Sequence, residues 1–342
     1  MFCLIFNLLR MKNLVPYLAA TLAIVVWGVT FASTRILLYE FSALEILLLR
    51  FSLAWAVLWA WELVVWRSRK GHDGARPSHG AAVAGRPPYR CCEWLFVGMG
   101  FTGVAAYQFL ENCAIYYTNA SNIAIFVSFG PIATAIIAWL VLHDRAFSIR
   151  FAIGSALSVC GVALVSLNGI AVLKLRPIGD LMALGAMLSW GVYSILVDVA
   201  NRRGISPVVA IRKSFFWSIA MIVPFGVWGA TESGFCIWDG SFSVNLNMQD
   251  NIERFSSVLN WANIAFLGVL ASAVCFALWN IACKGFGVVR ATIGLYLTPI
   301  VGVLFAVVFL GERIAPTGVA GGVLIVAGVA IAGRGTKKED GK

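Results

Sequence analysis

The sequence predicts an all-α integral membrane protein with ten transmembrane helices arranged as two inverted five-helix repeats. Three observations carry that reading. The chain is 60% apolar and only 12% charged, with a mean hydropathy of +0.86. Its apolar residues fall in ten continuous runs, each near the ~20 residues that cross a bilayer as a helix. The last five runs repeat the first five at a nearly constant offset.

A charged share about half the ~25% of a soluble domain leaves too much apolar surface to hide from water. The 13 tryptophans and 33 glycines agree, because Trp gathers at membrane interfaces and Gly is frequent in membrane helices. The net charge of +10 does not point to nucleic acid, because the charges lie between the apolar runs and form no basic stripe. The eight cysteines show neither metal-ligand spacing nor a disulfide framework and read as small apolar side chains. No cofactor and no metal are expected.

The runs lie near 14–35, 43–66, 93–114, 119–142, 149–168, 178–198, 206–229, 261–283, 289–310 and 316–333. They are continuously apolar and do not alternate, which favours helices over a barrel. Lys and Arg in the connections set the orientation. With the N-terminus inside, eighteen basic residues fall in inner segments, five in outer segments and three within spans, so both termini are expected in the cytoplasm. "MFCLIFNLLR" has a signal-like apolar stretch without a small-residue cleavage site, and "MKNL" at Met11 looks like a second start. Residues 1–13 are accordingly expected to be a cytoplasmic lead-in, with translation beginning at Met1 or Met11. The Gly-, Pro- and Arg-rich stretch 67–92 reads as a disordered inner loop. Residues 169–177 read as an outer linker and 334–342 as a basic cytoplasmic tail.

"WGVTFASTRIL" at Trp27 reappears as "WGVYSILVDVA" at Trp190, an offset of 163. In the second spans the register is approximate, with Ser42 opposite Ser206 and Arg50 opposite Lys213. Later the offset is 168: Asn112 meets Asn280, Pro131 meets Pro299, Gly154 meets Gly322, and "LHDR" meets "LGER". The repeats span 14–168 and 178–333. Five helices per repeat is odd, so the second enters from the opposite side, an architecture used by many secondary transporters.

"WGVTFASTRIL", "LLLRF", "YQFLENCAIYYTNASN", "GPIATAIIAWLVLHDR" and "TPIVGVLFAVVFLGERIAPTGVAGGVLIVAGVAI" resemble the drug/metabolite transporter superfamily, in its EamA-like branch. The resemblance runs from Met11 to Gly333. It implies a central cavity between helices 1–4 and 6–9, with helices 5 and 10 at the periphery, in a monomer or homodimer. It does not indicate the substrate.

Within the spans, Glu111 lies about one turn from the outer end of the third, and Arg50 about two turns below the outer end of the second. Charges inside a membrane turn inward, so the two are expected at similar depth and paired with each other, as a structural pair or as a substrate- and proton-binding site. Tyr107, Gln108 and Asn112 add a polar wall beside Glu111. The second half carries no such carboxylate; Trp279 stands in its place, next to Asn280. Lys213 reads as a snorkelling or anion-binding cation, with Asp198 as a neighbour for it or for Arg212. Trp27 and Trp190, each followed by glycine, serve helix packing or wall the cavity. Pro131 and Pro299 interrupt the fourth and ninth spans and are kink and hinge candidates.

The sequence has no H-E-x-x-H, phosphate loop or G-x-S-x-G motif, and all three histidines lie in connections. The expectation is a secondary active transporter of small metabolites or amino-acid-like solutes across the plasma membrane, working by alternating access, an exporter in preference to an importer and with protons as the candidate coupling ion; the alternative is an integral membrane enzyme or scaffold acting on lipid.

Overall fold

In a computed structural model of the chain, residues 14–72, 92–118, 120–143, 148–167, 176–231, 253–310 and 315–335 are described. These residues are almost entirely helical, with no strand among them. Ten helical columns result. α1 is Leu14–Leu37, α2 is Ala43–His72, and α3 comprises Glu93–Gly100, a π-helical Phe101–Ala106 and Tyr107–Tyr117. α4 is Ala120–Val127 plus Gly130–Leu142, α5 is Ile149–Leu167, α6 is Pro177–Arg202 and α7 is Pro207–Thr231. α8 comprises Val258–Ala265, a π-helical Phe266–Val274 and Cys275–Phe286. α9 comprises Val288–Ile293, a 3-10 turn Gly294–Leu297 and Thr298–Leu310, and α10 is Pro316–Gly335. Among the described residues nine helices are long and apolar enough to cross a membrane. α3 completes the ten; Gln108, Glu111 and Asn112 lower its hydropathy.

Local chemistry sets the ends. Ser42 and Glu45 form a capping box at the start of α2: the Ser42 amide donates to Glu45 Oε2 (2.8 Å), and the Glu45 amide donates to Ser42 Oγ (3.1 Å). Pro177 opens α6, and Asp180 in its first turn accepts from the Arg176 amide (2.8 Å) and the Thr118 hydroxyl (2.7 Å). Gly204, with φ of 71°, ends α6 in a conformation that disfavours a side chain. α2 runs to His72, so residues 67–72 are helical and not loop; Arg and Lys are good helix formers, and the first breaker is Gly71. Residues 73–91 of that loop, the lead-in 1–13, residues 169–175 of the expected linker, the stretch 232–252 and the tail 336–342 lie outside the described residues.

The halves interlock across glycines, which let helix backbones approach. A Cβ on Gly28 of α1 would lie 2.8 Å from Val301 of α9, and one on Gly191 of α6 would lie 2.8 Å from Ile137 of α4. Likewise Gly268 of α8 faces the Arg50 carbonyl of α2, and Gly100 of α3 faces the Ser214 carbonyl of α7. Each contact has its counterpart in the other repeat. This packing aligns Arg50 with Ser214, and Phe51 with Phe215. The approximate match of Arg50 to Lys213 was one residue out.

α5 and α10 pack along their lengths at the edge of the bundle. A Cβ on Gly154 would meet the Ala332 amide at 2.4 Å, and one on Gly161 or Gly321 would meet backbone of the other helix at 2.6 Å. The glycine spacings of α10 therefore serve a contact within the chain.

Candidate functional site

Tyr17 at the start of α1 stacks on Phe286 at the end of α8, with ring centroids 4.9 Å apart. We call this end of the bundle the near face and the opposite end the far face. Between the halves lies a cavity of about 60 Å³, room for a few waters. Seven columns line it: α1, α2, α3, α4, α6, α8 and α9. α5 and α10 lie outside it, and α7 contributes no lining residue.

The polar wall comes from the first half. Arg50 and Glu111 are 5% and 8% exposed and both line the cavity. They form no ion pair with each other, contrary to the expected pairing. Arg50 Nε donates to Ser272 Oγ (2.5 Å) and its Nη1 donates to Gln108 Oε1 (2.9 Å). The Tyr107 hydroxyl donates to Glu111 Oε1 (2.7 Å). One turn separates Tyr107 from Glu111, so the phenol reaches the carboxylate along the helix face, while Gln108 turns toward α2. Two ionic groups thus share one cavity, each held by neutral hydrogen bonds. Placing a charge in a membrane core costs about 2.5–3.5 kcal/mol or more, which a structural site recovers by pairing the charges. Here the charges are kept apart.

Below this wall, toward the near face, aromatic rings close the space. Trp27 lies 5.8 Å from Trp190, 5.6 Å from Phe276 and 5.2 Å from Trp279 by ring centroids. Trp190 also meets Tyr107 at 5.0 Å and Tyr193 at 5.1 Å. Such edge and tilted packings each add about 0.5–1.5 kcal/mol beyond burial.

Both interrupted helices touch the cavity at their breaks. α4 breaks at Ser128 and Phe129, with Pro131 in the first turn of its second piece. α9 turns 3-10 over Gly294–Leu297, with Pro299 next to the start of its second piece. Val127 and Leu295, equivalent in the repeat, line the cavity from these breaks.

Of the residues singled out in the sequence, Trp27, Arg50, Tyr107, Gln108, Glu111 and Trp190 meet at one cavity. Three do not line it. Asn112 is buried without lining the cavity. Asn280 donates to Tyr193 Oη (3.3 Å) and to the Phe276 carbonyl (2.9 Å) beneath the aromatic rings. Lys213 pairs with Glu93 at the start of α3. Asp198 neutralises neither Lys213 nor Arg212: it pairs with Arg202 (2.6 Å), and Arg212 pairs with Glu62 (2.5 Å). Thr30, Thr34, Phe276 and Thr298 line the cavity without having been anticipated. The spacing Trp27, Thr30, Thr34 places the two threonines on the tryptophan's helix face, a signal present in the sequence.

An all-helical, multi-pass membrane protein whose two repeats enclose a cavity with buried ionic groups has the build of a secondary transporter. The comparisons with known proteins narrow that class. The family model for the EamA-like transporter family matches residues 14–167 and 177–334, and the chain belongs to this family. It is similar to a probable terminal-alkyne amino-acid exporter of Streptantibioticus cattleyicolor, 26% identical over 239 residues, covering 69% of this chain and 72% of that one. It is also similar to an uncharacterized transporter of Archaeoglobus fulgidus, 25% identical over 323 residues, covering 93% of this chain and 96% of that one. A solved crystal structure matches with a TM-score of 0.66 at 18% identity, over 95% of this chain and 99% of that one, which shows the shared fold.

Proposed function

We propose that this transporter is a secondary active exporter of small, amino-acid-like solutes, working by alternating access in the plasma membrane with both termini in the cytoplasm. The single observation that carries the substrate class is the separated ionic pair in one cavity. Arg50 presents a guanidinium suited to a carboxylate. Glu111 with Tyr107 presents an acceptor suited to an ammonium group. Trp27, Trp190 and Phe276 offer an apolar wall for a side chain. The exporter assignment of the Streptantibioticus relative supports the same class.

Glu111 is also the group proposed to exchange a proton, since its carboxylate makes no ion-pair contact among the described residues. Pro131 and Pro299, at the two broken helices beside the cavity, are the proposed hinges. We propose the near face as cytoplasmic from the charge bias of the connections.

Reconstituted protein in liposomes tests the reading. A panel of radiolabelled neutral amino acids should include at least one that crosses faster with protein than without, driven by an imposed pH gradient. Absence of flux for the whole panel would remove the substrate class. An impermeant thiol reagent should label a cysteine placed at Asp239 in intact cells and leave one at Gly74 untouched; the reverse pattern would invert the orientation.

A further inference from the structure

The two π-helical segments occupy equivalent places. Phe101–Ala106 of α3, moved by the repeat offset of 168, falls inside Phe266–Val274 of α8. π-turns tend to mark functional sites in helices, because they leave backbone carbonyls free of the regular ladder. Each segment uses a carbonyl to bind the other half. Trp27 Nε1 of α1 donates to the Ala271 carbonyl in α8 (2.9 Å). Ser189 Oγ of α6 donates to the Thr102 carbonyl in α3 (2.8 Å).

The tryptophans break the symmetry. Trp190 is the repeat mate of Trp27, and Gly103 is the repeat mate of Ala271. Yet Trp190 Nε1 is buried without a hydrogen-bond partner. The Tyr193 ring lies over Gly103, where a Cβ would meet Tyr193 Cδ2 at 2.2 Å. A buried donor without a partner raises the free energy of the state that holds it. An inverted repeat reaches its second state when the halves exchange conformations.

We infer that Trp27 and Trp190 select the state of the transporter through exchangeable indole hydrogen bonds: Trp27 to the Ala271 carbonyl in the state described here, and Trp190 to the Gly103 carbonyl in the opposite state. This rests on the alternating-access reading. Trp190 gains its bond only if the Tyr193 ring swings off Gly103, and Tyr193 belongs to the aromatic cluster that closes the near side. Forming one indole bond is therefore tied to opening that cluster. The Ser189 bond has no such exchange, because its repeat mate is Val26, which has no hydroxyl. Both indoles touch the cavity, so a solute bound there competes with the switch directly.

Cys283 supplies a native reporter. It lies one turn beyond Trp279 toward the near face and is 2% exposed in this state. The test keeps Cys283 and replaces the other seven cysteines with alanine, then measures its maleimide labelling rate in solute-free purified protein. Trp27→Phe removes the bond of this state and should raise the rate, by about two- to tenfold for one net hydrogen bond. Trp190→Phe removes the bond of the opposite state and should lower it. Both tryptophans pack in the same cluster, so loss of packing alone moves the two rates in the same direction. A shift of both in one direction, or of neither, overturns the switch. Should either phenylalanine variant fail to fold, benzothienylalanine at that position keeps the ring shape and removes only the N–H, with the same expected directions. The labelling needs no solute and the flux assay needs no cysteine. Flux with same-direction shifts would sink the switch alone; opposite shifts without flux would sink the substrate class alone.

Discussion

At matching positions of α3 and α8, the first repeat carries Tyr107, Gln108 and Glu111, and the second carries Cys275, Phe276 and Trp279. On α2 and α7 the matching pair is Arg50 and Ser214. The backbone devices nevertheless agree: glycine contacts at Gly28 and Gly191 and at Gly100 and Gly268, a π segment in each third helix, and a break before each proline. What the halves share is the machinery that packs and bends. What they do not share is the polar chemistry, which sits in the first half toward the far face and is replaced by aromatic rings in the second. A binding site for an asymmetric solute needs only one polar wall, whereas exchange of conformations needs matched backbones.

The largest expected effect comes from a pair matched in sequence but not in packing. Gly154 and Gly322 align at the sequence offset of 168, but packing makes Gly321 the mate of Gly154: a Cβ on Gly154 or Gly321 would meet backbone of the other helix at 2.4 or 2.6 Å, while one on Gly322 meets nothing within 4 Å. Gly154→Leu should force α5 from α10, at about 1–3 kcal/mol or more, and cut the yield of monodisperse protein sharply. Gly322→Leu should leave yield unchanged. Equal losses would mean that the two glycines play one role.

Arg50 and Lys213 separate next. Arg50→Ser copies the residue of the second half and removes a charged partner worth about 1.5–3 kcal/mol per hydrogen bond, so solute affinity should fall by about tenfold or more. Lys213→Ala disrupts a half-exposed pair and should change affinity by less than about twofold. A larger effect at Lys213 would move the binding site toward the near face.

Much of this was legible in the sequence because lipid leaves so few choices. Ten apolar runs can only be helices, and an odd repeat can only be inverted. Six cavity residues were legible because a polar or aromatic residue in an apolar run turns toward the interior. Lys213 misled because one residue of slip in the second spans is invisible without packing; the contacts of Gly100 and Gly268 fix it. Phe276 and the π segments escaped because helical periodicity assumes a constant turn per residue, and a π-turn changes which face the following residues present. The Arg50–Glu111 pair failed for a simpler reason. Similar depth does not decide between a direct contact and two neutral partners, and Gln108 and Tyr107 were close enough to take both charges.

A smaller effect is expected at the breaks. Pro131→Ala and Pro299→Ala should each lower turnover by a factor of about three to ten while leaving solute affinity within about twofold, if the breaks serve as hinges. Unchanged turnover in both, at normal yield, would leave the prolines as static features of the fold.

The measurement closest to the central claim is pH-gradient-driven flux by Glu111→Gln in proteoliposomes. The substitution keeps size and most hydrogen bonding and removes the charge and the exchangeable proton. Arg50 keeps both of its partners in this variant, Gln108 and Ser272, so folding should survive. Normal yield, loss of most gradient-driven flux and retention of solute exchange are expected. Gradient-driven flux at the wild-type rate would contradict this expectation and leave Glu111 without a part in coupling.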